Sequence, residues 1–282
     1  MTAKRYILLG AAGYIAPRHM RAIQETGGEL VAIADPSDSV GIVDKYAPDA
    51  AYFRDSRKCM EQMRGKADTV VVATPNYTHC GLILDALRIG YNVICEKPLV
   101  SNVDDLGVIK AMEGMSDNRV YGVMQMRLHP GASMIDGAKK SEVSVTYHTP
   151  RGRWYWNSWK GLATASGGLP LNIGVHFFDL LLWKFGGVVD FGKHSGSRDT
   201  IEGELELARA HVKYSLSVDS SLPAKREVTV NGTAIDLTSG FDNLHTEVYR
   251  EILAGRGWGI DDMAPAIILA EQIQQEIQGV TA

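Results

Sequence analysis

The sequence predicts an α/β domain with a parallel sheet, followed by a C-terminal α+β domain with a large, mostly antiparallel open sheet. Three observations carry this prediction. Short, continuously apolar runs alternate with helical segments through the first 125 residues, the pattern of strands covered on both faces by crossover helices. A glycine-bearing turn, GAAGYIA, joins the first run to the first helix. Beyond about residue 126 apolar and polar residues alternate instead, the two-residue period of half-buried strands. The expected domains are therefore 1–125 and 126–282, with a C-terminal helix that can pack back on the first.

Taken in order, RYILL (5–9) reads as a buried strand and IAPRHMRAIQET (15–26) as a helix stopped by Gly27 and Gly28. ELVAIAD (29–35) and TVVVAT (69–74) are the second and third strands. THCGLILDALRIG (78–90) is a helix with Gly90 just past its end. NVICE (92–96), a helix over 102–115 and RVYGVMQ (119–125) complete the first domain. In the second, EVSVTYH (142–148), ELELARAHVKYSLSV (204–218) and REVTVNG (226–232) alternate as strands, and Asn231-Gly232 before TAIDL signals a hairpin. SGGLPLNIGVHFFDLLLWKFGG (166–187) reads as a glycine-bearing loop entering a largely buried helix.

Composition narrows the function. A net charge of −4 without a polybasic block sets nucleic acid aside. No apolar stretch approaches the ~18 to 20 residues of a membrane helix. The three cysteines, Cys59, Cys80 and Cys95, lie 21 and 15 residues apart, which fits neither a disulfide framework nor a zinc knuckle. No metal is expected. YILLGAAGYIA after Lys4 and Arg5 imitates a secretory leader, but Gly10, Gly13 and the following Arg18, His19 and Arg21 fit a strand and loop better. A cytoplasmic protein is the default expectation.

Gly10, Gly13 and Ala16 form G-x-x-G-x-x-A, a departure from the usual dinucleotide fingerprint. Small residues here let a pyrophosphate approach the backbone at a helix N-terminus, although a tight turn without ligand uses the same residues. Asp35 closes the second strand 25 residues after Gly10, near the ~20-residue spacing of the acid that binds a ribose hydroxyl. An acid there repels the 2′-phosphate of NADP, and no arginine follows until Arg54. The first domain is thus read as a Rossmann dinucleotide-binding domain that favours NAD.

Pro75, Asn76 and His79 follow the third strand, at the carboxyl edge where open α/β sheets bind ligands. Thr78 serves equally as an N-cap there, and His79 as an exposed first-turn residue. CEKPLV (95–100) ends an apolar strand with Glu96 and Lys97 before Pro98, a costly place for a lysine unless its charge is used. RGRWYWNSWKG (151–161) interleaves Trp154, Trp156 and Trp159 with Arg151, Arg153 and Lys160. The tryptophans either pack or, with the cations, receive an anionic, ring-bearing ligand such as a sugar nucleotide. Asn172, His176, Asp179 and Trp183 share one helix face. A lone buried histidine is usually a satisfied core residue; an asparagine one turn before it and an acid three residues after it favour a polar site.

With CEKPLV after the fourth strand and NIGVHFFD on a later helix, the chain resembles the Gfo/Idh/MocA oxidoreductases. In that family an E-K-P segment closes a Rossmann strand and a D-x-G-x-H-x-x-D helix comes from the second domain. GAAGYIAPRHM, SVGI, SWKG, NIGVHF, SVD, LHT and EILAGRGWGIDD are similar to the branch that oxidises UDP-N-acetylglucosaminuronic acid at its 3-hydroxyl in surface-polysaccharide (lipopolysaccharide O-antigen) synthesis.

The resemblance implies that Gly10, Ala12, Gly13, Tyr14 and Ile15 form the pyrophosphate loop of an NAD site, with Asp35 on the adenosine ribose. It implies Thr74, Pro75, Asn76 and His79 at the cofactor's edge, Glu96 near the nicotinamide ribose, and Lys97 meeting His176 around the reacting hydroxyl. Asn172 stands where most of the family has an aspartate; the sugar-nucleotide branch is similar to this sequence in having asparagine there, which supports that branch while weakening any two-member acid relay. The expected substrate contacts are Gln125, Arg127, Arg151, Trp159, Lys160, Asn172 and His176. Against typical members the chain is short between Pro130 and Val143 and at its C-terminus, so subunit contacts or a substrate-covering loop are expected to differ. A homo-oligomer, dimer or tetramer through the C-terminal sheet, is expected. Two alternatives stay open: a dehydrogenase of another sugar nucleotide, a free sugar or inositol, and an NAD-binding regulatory protein that keeps the fold without catalysis.

Overall fold

A computed structural model of the protein describes residues 3–280 except Thr238; the outermost positions of the expected domain ranges, 1–2 and 281–282, lie outside the described residues. The chain divides into two compact units. One comprises the residues up to Val100 with Asp104–Gln125 and Asp242–Met263; the other comprises Ser101–Val103, Met126–Phe241 and the residues from Ala264 onward.

The first unit contains β1 (Arg5–Leu9), α1 (Ala16–Glu25), β2 (Glu29–Ala34), β3 (Ala51–Phe53), α2 (Ser56–Gln62), β4 (Thr69–Val72), α3 (His79–Ile89), β5 (Asn92–Cys95), α4 (Asp104–Gly114) and β6 (Val120–Gly122). Its strands pair in the order β3-β2-β1-β4-β5-β6, parallel throughout. This is the doubly wound Rossmann order, with its topological switch between β1 and β4. The apolar runs explain the centre of the sheet: Ile7, Leu8, Leu9, Val70, Val71 and Val72 are fully buried.

Two elements of this unit carry no such run. In β3 Ala51 and Tyr52 are exposed, and α2 is announced only by its cap, where the Asp55 carboxylate accepts the Lys58 N–H at 2.8 Å. The strand expected over 119–125 stops at Gly122, whose N–H donates to the Trp258 carbonyl at 2.9 Å. A Cβ on Gly122 would overlap the Met263 side chain, so close packing accounts for that glycine. Gln125–Leu128 then winds into a 3₁₀ turn. Gly90 ends α3 at φ 104°, as its position predicts.

The second unit contains β7 (Ser141–His148), α5 (Val175–Phe185), β8 (Val188–Asp190), β9 (His194–Gly196), β10 (Thr200–Leu207), β11 (Ala210–Ser217), β12 (Lys225–Val230) and β13 (Thr233–Ala234). The strand order is β13-β12-β7-β11-β10-β8, with β9 also paired to β10. Asn231 (φ 52°) and Gly232 (φ 77°) make the β12–β13 turn, the left-handed pair that an Asn-Gly hairpin requires. The sheet is mostly antiparallel but mixed, because β7 and β11 run parallel from Ser141↔Ala210 to His148↔Ser217. A parallel pair needs a long crossover. The crossover here includes the tryptophan-rich segment and α5, whose Phe178 ring meets Tyr214 of β11 edge-on at 5.4 Å.

Two helices follow, α6 (Leu244–Leu253) and α7 (Ile260–Val280). Within the first unit α6 returns to α1, where Thr246 donates to the Glu25 carboxylate at 2.7 Å. Among the described residues no helix is long and apolar enough to cross a membrane.

Candidate functional site

The β1–α1 turn is shaped by backbone proximity. Gly10 has φ +88°, and a Cβ there would lie 2.5 Å from the Ala73 carbonyl oxygen. A Cβ on Gly13 would lie 3.0 Å from the Gly10 carbonyl oxygen. Neither glycine can be replaced without moving the turn. α1 begins at Ala16 with Pro17 in its first turn, no side-chain cap and no acid, which leaves its positive end available to an anion. Tyr14 is 89% exposed beside this turn, and Ile15 is the residue preceding the helix. Asp35, just past β2, accepts the Ala12 N–H. A cradle that admits only glycine, an uncapped helix start and an acid beside both fit a dinucleotide.

Beyond β4, the Thr74 and Thr78 hydroxyls meet at 2.6 Å and Thr78 donates to the Pro75 carbonyl at 2.7 Å. Thr78 is therefore not a side-chain cap. Asn76 is 5% exposed. The exposed reading of His79 is corrected: it is fully buried, with Nδ1 2.8 Å from the Pro98 carbonyl and Nε2 2.9 Å from the Thr74 carbonyl. Burial lowers its pKa against the pull of both carbonyls. A neutral ring donates to only one of the two carbonyls at a time, so His79 is anchored either to the loop after β4 or to the segment that follows Lys97.

Glu96 ends β5 in a buried cluster. His19 Nε2 on α1 donates to Glu96 Oε1 at 3.0 Å, and His245 Nε2 on α6 donates to the same oxygen at 2.9 Å. The Lys97 N–H reaches Oε2 at 3.3 Å. Tyr249 completes the cluster at 2.9 Å from His19 Nδ1. Burial opposes ionisation of Glu96, but the two imidazole donors outweigh it and hold its pKa well below the usual carboxylate value. Burial lowers His19, so His19 is neutral, donates from Nε2 and accepts the Tyr249 hydroxyl at Nδ1. The three side chains His19, Glu96 and His245 offer ligand atoms within 4.8 Å of one another, yet those same atoms are already joined by hydrogen bonds. Lys97 itself is half-buried, and its bond to Pro98 is cis. The sequence carries no local signal for His19 or His245 as partners of Glu96, since they lie 77 and 149 residues away.

In the second unit, Asn172 sits in a π-type turn, Pro170–Gly174, that leads into α5; such wide turns occur frequently at functional sites. Its amide donates to the Tyr155 hydroxyl at 3.1 Å. His176 on α5 is half-buried. Arg127, an expected substrate contact, makes a buried two-pronged ion pair with Asp179, at 2.9 and 2.6 Å, and lies 5.8 Å from the Trp183 ring centre. Trp159 is half-buried with the Lys160 ammonium 3.9 Å from its ring centre. Burial, and then the charge of Arg151, lower the Lys160 pKa. In the first unit, Gln125 is buried and its side-chain oxygen has no hydrogen-bond partner.

A Rossmann sheet with this turn and this acid defines a dinucleotide-binding protein. The chain belongs to the Gfo/Idh/MocA oxidoreductase family: residues 4–123 match its NAD-binding Rossmann fold, and residues 138–267 match its C-terminal alpha/beta domain. The WlbA (WbpB) dehydrogenase from Thermus thermophilus is 40% identical, superimposes with a TM-score of 0.90, and is covered over 96% of this chain and 94% of its own. It has been solved in complex with NAD and alpha-ketoglutarate, and with NAD and UDP-GlcNAcA. A 2,7-anhydro-N-acetylneuraminate hydratase from Mediterraneibacter gnavus is 28% identical over 71% of this chain and 54% of its own length. An inositol 2-dehydrogenase from Burkholderia multivorans is 34% identical over 41% of this chain and 35% of its own. The chain spans between about a third and a little over half of the curated relatives it matches first.

Proposed function

We propose that the protein oxidises the sugar 3-hydroxyl of UDP-N-acetylglucosaminuronic acid, or a close sugar nucleotide, with NAD as hydride acceptor, as a cytoplasmic homo-oligomer that serves surface-polysaccharide synthesis. The observation that carries this reading is the 40% identity, over 96% of this chain, to a dehydrogenase solved with NAD and UDP-GlcNAcA. The chemistry supports it. Bound NAD would take the hydride. An aliphatic hydroxyl is too weak an acid to ionise unaided, so the chain must supply a base and a positive charge. His176 is the base in this reading, because its ordinary pKa of ~6.5 lies near working pH. Lys97 donates to the oxygen and stabilises the alkoxide as it forms. Asn172, held by Tyr155, orients groups through its amide and cannot take up the proton. The orphaned oxygen of buried Gln125 suits a substrate hydroxyl.

A second reading, oxidation of inositol or a free sugar, is favoured by the 34% identity to an inositol 2-dehydrogenase over 119 residues. Formation of reduced cofactor, followed with UDP-sugars, free sugars and inositol, with and without 2-oxoglutarate, separates the two. Mass spectrometry of a 3-keto sugar nucleotide is the expected result. Faster turnover of inositol than of any UDP-sugar would overturn the first reading.

A further inference from the structure

In the first unit, three side chains on two helices converge on one carboxylate. His19 lies on α1, and His245 and Tyr249 lie on α6. Both imidazoles donate to Glu96 Oε1, at 3.0 and 2.9 Å, and they meet edge-on with ring centres 5.0 Å apart. Oε2 takes the Lys97 N–H at 3.3 Å. Tyr249, kept protonated by its burial, donates to His19 Nδ1 at 2.9 Å and so fixes the tautomer that presents Nε2–H to Glu96. Every donor of the cluster thus points toward the one carboxylate.

His245 is the costly member. It is 1% exposed, and its Nδ1 has no hydrogen-bond partner among the described residues. A buried polar atom without a partner destabilises a fold, and an apolar ring would fill the same place without that loss. Metal binding does not account for the imidazole either, because a ligating histidine gives its second N–H to an acceptor and Nδ1 meets none. What the ring does in the described structure is hold Glu96 Oε1.

We propose that His245 and His19 are positioning residues of the reaction: by occupying one oxygen of Glu96 they aim the other at the Lys97 N–H, and so fix the backbone from which Lys97 reaches the reacting hydroxyl. The inference rests on the dehydrogenase reading of Lys97 and adds two residues to it. A carboxylate turns about its last bond, and with one donor on each oxygen it can exchange them. Two donors on the same oxygen, carried by different helices, remove that freedom. The Glu96 backbone is tied as well, since its N–H donates to the Val72 carbonyl at 2.9 Å. Hydride transfer needs this support, because a displacement of about 1 Å in a group far from the chemistry can cost ~10² in rate.

The test is single-turnover formation of reduced cofactor by the full chain, with NAD saturating and the enzyme in saturating excess over UDP-GlcNAcA. The rate constant then reports competent molecules alone, so a partly unfolded variant does not lower it. His245→Phe keeps a ring and removes the donor, and should slow the step about 10-fold or more, the effect of one lost charge-assisted hydrogen bond. His245→Gln, whose amide can donate to Oε1, should restore most of the rate. Tyr249→Phe removes a single hydroxyl and should slow the step about 5-fold through His19, which keeps the test decisive if His245→Phe does not fold. NAD affinity, followed by titration, should be unchanged in all three. An unchanged rate in either phenylalanine variant, or His245→Gln no faster than His245→Phe, overturns the assignment. NAD binding weakened in step with the rate puts the cluster in the cofactor site and also overturns it. The substrate reading fails separately: if the wild type oxidises inositol or a free sugar and not UDP-GlcNAcA, the same comparison is made with that substrate and the positioning role is judged on it.

Discussion

The Asp35 carboxylate accepts the Ala12 N–H with one oxygen and the Ser37 N–H with the other, each at 2.9 Å. The acid after β2 and the glycine turn after β1 are thus one structure, and what binds one is set by the other. Asp35→Asn keeps an acceptor for Ala12 but removes the charge. It should cost NAD about 10-fold in affinity, as expected for a lost charged hydrogen bond, and relax discrimination against NADP. Fluorescence titration with both cofactors measures this; an unchanged NAD-to-NADP ratio would refute the role.

Lys97→Ala should lower kcat by ~10² or more, the usual contribution of a positioned acid or base, in a protein that still folds and binds NAD. His176→Asn should also lower kcat and leave NAD affinity intact. Steady-state kinetics beside NAD titrations decide both. Near-normal turnover would remove either residue from the chemistry, and lost NAD binding would place His176 with the cofactor.

Acid should destabilise the protein in two stages. Burial lowers His19 and His79, so below about pH 6.5 the unfolded chain takes up protons that the native chain refuses, and stability falls. Despite its burial, Glu96 is held well below 4.5 by His19 and His245. Its contribution is present above that value and is lost as pH falls toward its native pKa. Melting temperature followed from about pH 8 to about pH 2 should decline across both ranges, and His19→Gln should flatten the first stage. A flat profile in the wild type would contradict the cluster's assigned charges.

The Arg127–Asp179 pair, 6% and 3% exposed, should behave as buried pairs do. Asp179→Leu or Arg127→Met alone leaves a buried charge and should cost about 3–5 kcal/mol, while the double variant should recover much of that loss. Chemical denaturation of the three proteins measures it. Additive losses would show that the two side chains act separately.

Legibility in the sequence followed the range of the interaction. Gly10, Gly90 and Asn231-Gly232 announce their turns because left-handed backbone is a local demand. The strands β1, β4 and β5 announce themselves because burial on both faces leaves a continuous apolar run. β3 is half-exposed and short, so nothing marks it. The parallel pairing of β7 with β11 follows from the crossover between them, which no local pattern records. The same reason hid the partners of Glu96, and the separation of 52 residues hid the Arg127–Asp179 pair. Lys97, Asn172 and His176 could be singled out because each sits in a short motif.

The Glu96 cluster has a consequence for how the chain is made. His19 and Glu96 are made well before His245 and Tyr249, and Tyr249 is 230 positions behind His19. Until then the first sheet carries a carboxylate with one of its two imidazole donors and an α1 face without α6. The first unit is thus complete only after Asp242–Met263 has been made, and a fragment cut at Gln125 would keep the nucleotide turn while lacking the donor that settles the charge next to Lys97.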